Sequence, residues 1–110
     1  MRQLLIDGLS IEEQANIDSY LKRTVKSASI AGMFWLAVPD DLLGPAQLGH
    51  GDCGPFYFGI ELGRNSVAFE FLVRSESNLH CSCICYATDA QRDHLLRFVD
   101  RMLKEEKIKA

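Results

Sequence analysis

The sequence predicts an α+β two-layer sandwich: an antiparallel four-stranded sheet with an N-terminal and a C-terminal helix on one face, in the order α-β-β-β-β-α. Three observations predict it. Two capping boxes, Ser10 with Glu13 and Thr88 with Gln91, each precede apolar residues at helical spacing. Between them, residues 56–62 and 67–73 alternate apolar with other side chains, the period of a half-buried strand. The chain has 110 residues, 47% hydrophobic and 25% charged. That supports one domain over residues 1–110 with one modest core, and not two.

The first helix is expected over residues 10–28, where Ile17, Leu21, Val25 and Ala28 form one stripe. Lys22, Arg23 and Lys26 suit the negative end of its dipole. Residues 30–38 are almost wholly apolar without alternation, which reads as a strand buried on both faces, ended by Pro39. Residues 39–55 hold all three prolines and four glycines. A loop of this length is usually functional or held by something; a short helix fits at 40–43. The alternating runs then form a hairpin around Gly63-Arg64-Asn65-Ser66. Pairing Leu62 with Val67 sets Ile60 opposite Phe69 and Phe58 opposite Phe71, so one face is apolar. The other face carries Tyr57, Glu61, Glu70 and Leu72.

A fourth strand is expected at 79–86, with Leu79, Cys81, Cys83 and Cys85 on one face and His80, Ser82, Ile84 and Tyr86 on the other. A five-residue turn pairs Val73 with Leu79 and sends the cysteines to the apolar face; a four-residue turn sends them to the Glu70 face. Polarity matching favours the first. The closing helix buries Leu95, Phe98, Val99, Met102 and Leu103, with Asp93–Arg97 and Asp100–Lys104 as i,i+4 pairs.

The net charge is −3. Residues 31–87 carry six acids against only Arg64 and Arg74. An acidic sheet region lacks the cations that displace phosphate counterions, so no nucleic-acid partner is expected. No apolar run approaches the ~20 residues that span a bilayer, and the opening Met-Arg-Gln-Leu-Leu-Ile-Asp turns polar too soon for a signal peptide. No membrane association and a cytoplasmic location are expected. Cysteines there stay reduced, so a disulfide framework is not expected. Because 30–38 is apolar towards both faces, the face away from the helices is expected to be apolar, and a homodimer would cover it.

One constellation carries chemistry. His50-x-x-Cys53 lies in the Gly/Pro loop, and His80-Cys81-x-Cys83-x-Cys85 near the end of the sheet. Thiolate and imidazole are the ligands a tetrahedral zinc ion takes. The expected set is His50, Cys53, Cys81 and Cys83, with Cys85 as an alternative. Alternate strand residues stand ~6.5 Å apart, from a rise of ~3.3 Å each. Two zinc-bound sulfurs stand ~3.8 Å apart, from Zn–S bonds near 2.3 Å. A regular strand therefore opposes the site. The competing reading is core packing, since reduced cysteine is a small hydrophobe. A third is thiol or redox chemistry at Cys53, near His50 among loop amides. Glu61 and Glu70 fall as diagonal neighbours, read as a solvated pair neutralised by Arg74. Asp40-Asp41 reads as a turn or helix start, Trp35 as core and His94 as exposed. Gly49-x-Gly51-x-x-Gly54 precedes a strand instead of opening a helix, so it is no dinucleotide fingerprint. The leading functional expectation is a non-catalytic binding module that homodimerises. The alternatives are a zinc-stabilised domain and a cysteine-dependent enzyme or sensor.

Overall fold

A computed structural model describes residues 2–110. Helix α1 runs Ile11–Thr24 and α2 runs Asp89–Glu105. Both capping boxes form in full: Ser10 and Thr88 accept from the third helical N–H, and Glu13 and Gln91 reach back to the cap N–H. Helix α1 stops four residues before the expected end. Val25 is extended, and the chain enters a two-residue strand β2, Lys26–Ser27, which pairs with β3, Met33–Ala37. Ladder hydrogen bonds to β3 thus replace one further helical turn. Strand β3 is also shorter than the apolar run 30–38, because residues 28–32 form the turn between β2 and β3.

Among the described residues the sheet has six antiparallel strands, not four. Strand β1, Gln3–Ile6, precedes α1, so the first helix does not open the fold. Strands β4 (Phe56–Gly63) and β5 (Ser66–Ser75) form the expected hairpin. The order is β1-β5-β4-β3-β2, and a last short strand β6, Cys85–Tyr86, also pairs with β5. The outer edge of β5 is shared: β1 covers residues 67–70 and β6 covers 72–73. They meet at Phe71, whose N–H donates to Arg2 O at 3.1 Å and whose carbonyl accepts from Ala87 N at 2.8 Å. The expected fourth strand at 79–86 forms only in those last two residues; 79–84 is a run of turns.

The hairpin keeps the expected register at Leu62↔Val67 and Ile60↔Phe69, then breaks. Phe58 faces Val73, not Phe71, so two residues of β4 step past four of β5. An even slip preserves the faces. Phe58, Ile60, Val67, Phe69 and Val73 all remain fully buried. Gly59 stands at the break, where a Cβ would collide with the Glu70 carboxylate.

The buried stripes of both helices join those strand residues in a single core: Ile17 and Leu21 from α1, Leu95 and Met102 from α2. Each such side chain contributes about 2 kcal/mol by leaving water. Tyr20 meets Phe98 edge-on, with ring centroids 6.0 Å apart, and ties the helices together. The other face of the sheet is mixed, not apolar. Trp35 leaves the core and packs on Tyr57 at 5.8 Å. Lys26 places its ammonium 5.5 Å from the Tyr57 ring and 2.7 Å from Glu76, a pairing that raises the lysine pKa. No helix among the described residues is long and apolar enough to cross a membrane.

The first box gives a direct test of the helix start. Ser10→Ala should lower unfolding free energy by about 1 kcal/mol, read as a shifted urea midpoint at unchanged slope. An unmoved midpoint would show that the box adds nothing to α1.

Candidate metal centre

Two irregular segments converge beside the end of β5. In the first, Cys53 N–H donates to His50 O at 2.9 Å, closing one tight turn over Gly51–Cys53. This turn sets the imidazole and the thiol of His50-x-x-Cys53 on one side. In the second, Ile84 N–H donates to Cys81 O at 3.1 Å, and Cys83 N–H points at Cys81 Sγ at 3.5 Å. The turn folds Cys81 and Cys83 towards each other, which an extended strand would not do.

The ligand atoms of His50, Cys53, Cys81 and Cys83 all lie within 4.8 Å of one another. Cys81 Sγ is 3.2 Å from His50 Nδ1. Cys53 and Cys83 are buried, while His50 and Cys81 are half-buried. The four residues singled out in the sequence are thus the four brought together, and among the described residues they are the only such group. Cys85 lies outside it, on β6 opposite Val73, where its sulfur faces Gln47 Nε2 at 3.7 Å. His80 is exposed and also outside it.

The sequence reading missed what fastens the segments. Gln47 is almost fully buried in the Gly/Pro loop, and Gln91 fully buried on α2. Gln47 Oε1 accepts from Gly44 N at 2.9 Å and from Gln91 Nε2 at 3.0 Å. Gln47 Nε2 donates to Cys83 O at 2.7 Å, and Gln91 Nε2 to Leu42 O at 2.9 Å. Gln91 Oε1 still serves the Thr88 cap. A continuous chain of hydrogen bonds therefore runs from the start of α2 through the loop to the cysteine turn. On the other side, the Ser75 and Ser77 hydroxyls donate to Cys53 O, and Asn78 Nδ2 faces Cys53 Sγ at 3.7 Å. The glutamine at the third helical position is legible as a cap; its second partner, 44 residues away in the chain, is not.

The two sulfurs of the turn differ sharply. The Cys83 N–H, aimed at Cys81 Sγ, is the main reason the Cys81 thiol pKa falls to about 6. Burial pushes the Cys83 thiol up to about 12. Without a cation the cluster favours one thiolate, on Cys81, because a second buried negative charge beside it is costly. The thiol whose pKa is lowered is Cys81, whereas the thiol-chemistry alternative singles out Cys53.

The other candidate residues lie apart from this cluster. Glu70 is held by Arg74 through two contacts, at 3.2 and 2.9 Å, while Glu61 is exposed. Asp40 and Asp41 open a single 3-10 turn after Pro39 and belong to no metal-ligating group. His94 is half-buried, not exposed, and lines a cavity that Trp35 and Tyr57 also line. The glycine triplet leads into β4 and no helix. No family model matches the chain, and no curated protein or solved structure is significantly similar to it.

Two measurements probe this centre. In reduced, metal-free protein, iodoacetamide should modify Cys81 first, with a rate that rises through about pH 6 and then levels, since the thiolate is complete above that range. A rate still climbing at about pH 9, as for an ordinary thiol, would remove the assigned role of the Cys83 N–H. Separately, Gln47→Leu should cost about 3 kcal/mol of stability by leaving the Cys83 carbonyl and the Gly44 N–H buried and unpaired. Thermal unfolding indistinguishable from the parent would show that the glutamine chain holds nothing.

Proposed function

We propose that the chain is a zinc-stabilised, non-catalytic binding domain, in which His50, Cys53, Cys81 and Cys83 hold one metal ion. The observation that carries this reading is the convergence of four ligand atoms from two distant segments within 4.8 Å. Tetrahedral zinc with Zn–S bonds near 2.3 Å and Zn–N bonds near 2.0 Å sets its ligands roughly 3.5–3.8 Å apart. Contraction of about 1 Å at the widest pair would reach that geometry. The donor chemistry supports zinc over calcium or magnesium, which take oxygen.

Four protein ligands leave no coordination position for water or substrate, which makes the metal a structural one. Three thiolates and a neutral imidazole around a divalent cation leave the centre at −1. The cation removes the repulsion that otherwise limits the cluster to one thiolate. Bound metal of this kind contributes directly to folding free energy, on the order of 10 kcal/mol for small sites. Here it would add to a loop already hydrogen-bonded to α2. Metal loss is therefore expected to loosen the 44–55 loop and the cysteine turn without unfolding the core.

A thiol-redox reading draws on the same cluster, through the acidic thiol of Cys81 and the nearness of the Cys53 sulfur. Elemental analysis separates the two. Protein purified without a tag from zinc-replete cells should contain about one zinc per chain. Cys53→Ser should lose most of the metal and melt at lower temperature, and Cys85→Ser should keep it. Absence of metal, with no uptake on titration with zinc, would defeat the zinc reading. Formation of a Cys53–Cys81 disulfide in mild peroxide would then favour the redox one.

A further inference from the structure

The outer face of the sheet carries a second site, separate from the metal ligands. A cavity of about 330 Å³ opens there, between β3, β4, β5 and the cysteine turn. That volume lies at the small end of the range for organic ligands. Trp35 and Met33 from β3 form one wall. Leu79 and Ile84, at the two ends of the 79–84 turns, form the facing wall. Glu61, Glu70 and Arg74 supply the charged groups, and Ser75 adds a neutral polar one.

Three features set its ligand chemistry. First, its charge is net negative: two carboxylates face one guanidinium, and that guanidinium is engaged by Glu70 at 3.2 and 2.9 Å. Second, the Glu70 carboxylate occupies the space above Gly59, which has no Cβ to exclude it, in the row of the sheet where Gly59 pairs with Trp35. The register break between β4 and β5 falls at this point. The carboxylate is thus fixed before any ligand arrives. Third, the same face already holds an ammonium in this manner. Lys26 Nζ sits 5.5 Å from the Tyr57 ring and 2.7 Å from Glu76 Oε1, and Tyr57 packs on Trp35. An aromatic ring with a carboxylate beside it holds a cation by ring quadrupole and by charge.

We propose that this cavity binds a small organic monocation, an ammonium group on an aromatic or alkyl body. The ammonium lies against Glu61 and the Trp35 ring, and the apolar body lies between Trp35 and the Leu79–Ile84 wall. A carboxylate ligand is disfavoured because Arg74 is engaged by Glu70 and Glu61 repels it. The inference rests on the lining of the cavity and stands whether or not the cysteines hold metal.

The chain has one tryptophan, so fluorescence of the intact protein reports on the Trp35 ring, which lines this cavity and a second one with Lys26 and Tyr57; Glu61→Gln tells the two apart, since Glu61 lines only the first. Titration with phenethylammonium should give a saturable change. The isosteric neutral phenethyl alcohol should bind at least tenfold more weakly, and phenylpropionate should give no saturable change. Glu61→Gln, at an exposed strand position, should weaken phenethylammonium at least fivefold while leaving thermal unfolding unchanged. Gly59→Ala should weaken it further by displacing Glu70; if that variant fails to fold by circular dichroism, Glu61→Gln decides. The proposal is overturned by no saturable change with the ammonium, by equal affinity for the alcohol, or by undiminished affinity in Glu61→Gln.

Discussion

Alternate side chains on an extended strand stand about 6.5 Å apart, and the chain escapes that spacing by giving up the strand between residues 79 and 84. Most of the local architecture depends on this. Turns replace the ladder, so the Cys81 and Cys83 sulfurs can approach each other and reach His50 and Cys53. Only Cys85 and Tyr86 stay extended to complete the edge of β5. The remaining part of that edge is covered by β1, from the opposite end of the sequence. One local breach of strand geometry thus creates both a ligand cluster and a composite sheet edge.

Turns leave backbone groups without ladder partners, and buried groups of that kind cost about 1–3 kcal/mol each. The structure meets the demand with side-chain amides and hydroxyls. Gln47 takes the Cys83 carbonyl, Gln91 takes the Leu42 carbonyl, and Ser75 and Ser77 take the Cys53 carbonyl. Among the described residues no buried side-chain polar atom lacks a partner. The long Gly/Pro loop is therefore anchored before any metal is considered. Bound metal would still stabilise this region more than the hydrogen bonds do, since ligation outweighs several of them. The glutamine chain's role is to place His50 and Cys53 opposite the cysteine turn.

The features legible in the sequence are those with a short period or a fixed local spacing. Ser10/Glu13 and Thr88/Gln91 are contacts over three residues, and Leu62↔Val67 is set by one turn. The His/Cys cluster is legible because few residue types can serve as metal ligands. What escapes depends on distance along the chain. Four residues, Gln3–Ile6, carry too little alternation to announce β1, and β1 forms because β5 offers an open edge. The break opposite Gly59 needs knowledge of where Glu70 will lie. The uninterrupted apolar run at 30–38 suggests core on both faces, but Trp35 has an amphipathic ring and is accommodated on the mixed face against Tyr57. Cysteine alternation at 81, 83 and 85 resembles a strand because period two is also what a tight turn with one intervening residue produces.

The closed metal site proposed here would not act on a substrate, yet it would bear on the neighbouring cavity. The cysteine turn has two sides. Cys81 and Cys83 point to the ligand cluster, while Leu79 and Ile84, just outside them in sequence, wall the cavity over Trp35. The turn is short, so its inner and outer side chains cannot be ordered independently. The positions of Leu79 and Ile84 follow from whatever fixes the two cysteines. The sheet supplies the other wall, and it is stiff, with Trp35 locked on Tyr57 and Glu70 locked on Arg74. In the proposed zinc-bound form, the wall carried on the cysteine turn would be held by ligation as well as by the Gln47 hydrogen bond to Cys83 O. A structural metal there would steady one wall of the cavity through packing alone, while the residues that select the ligand stay the same.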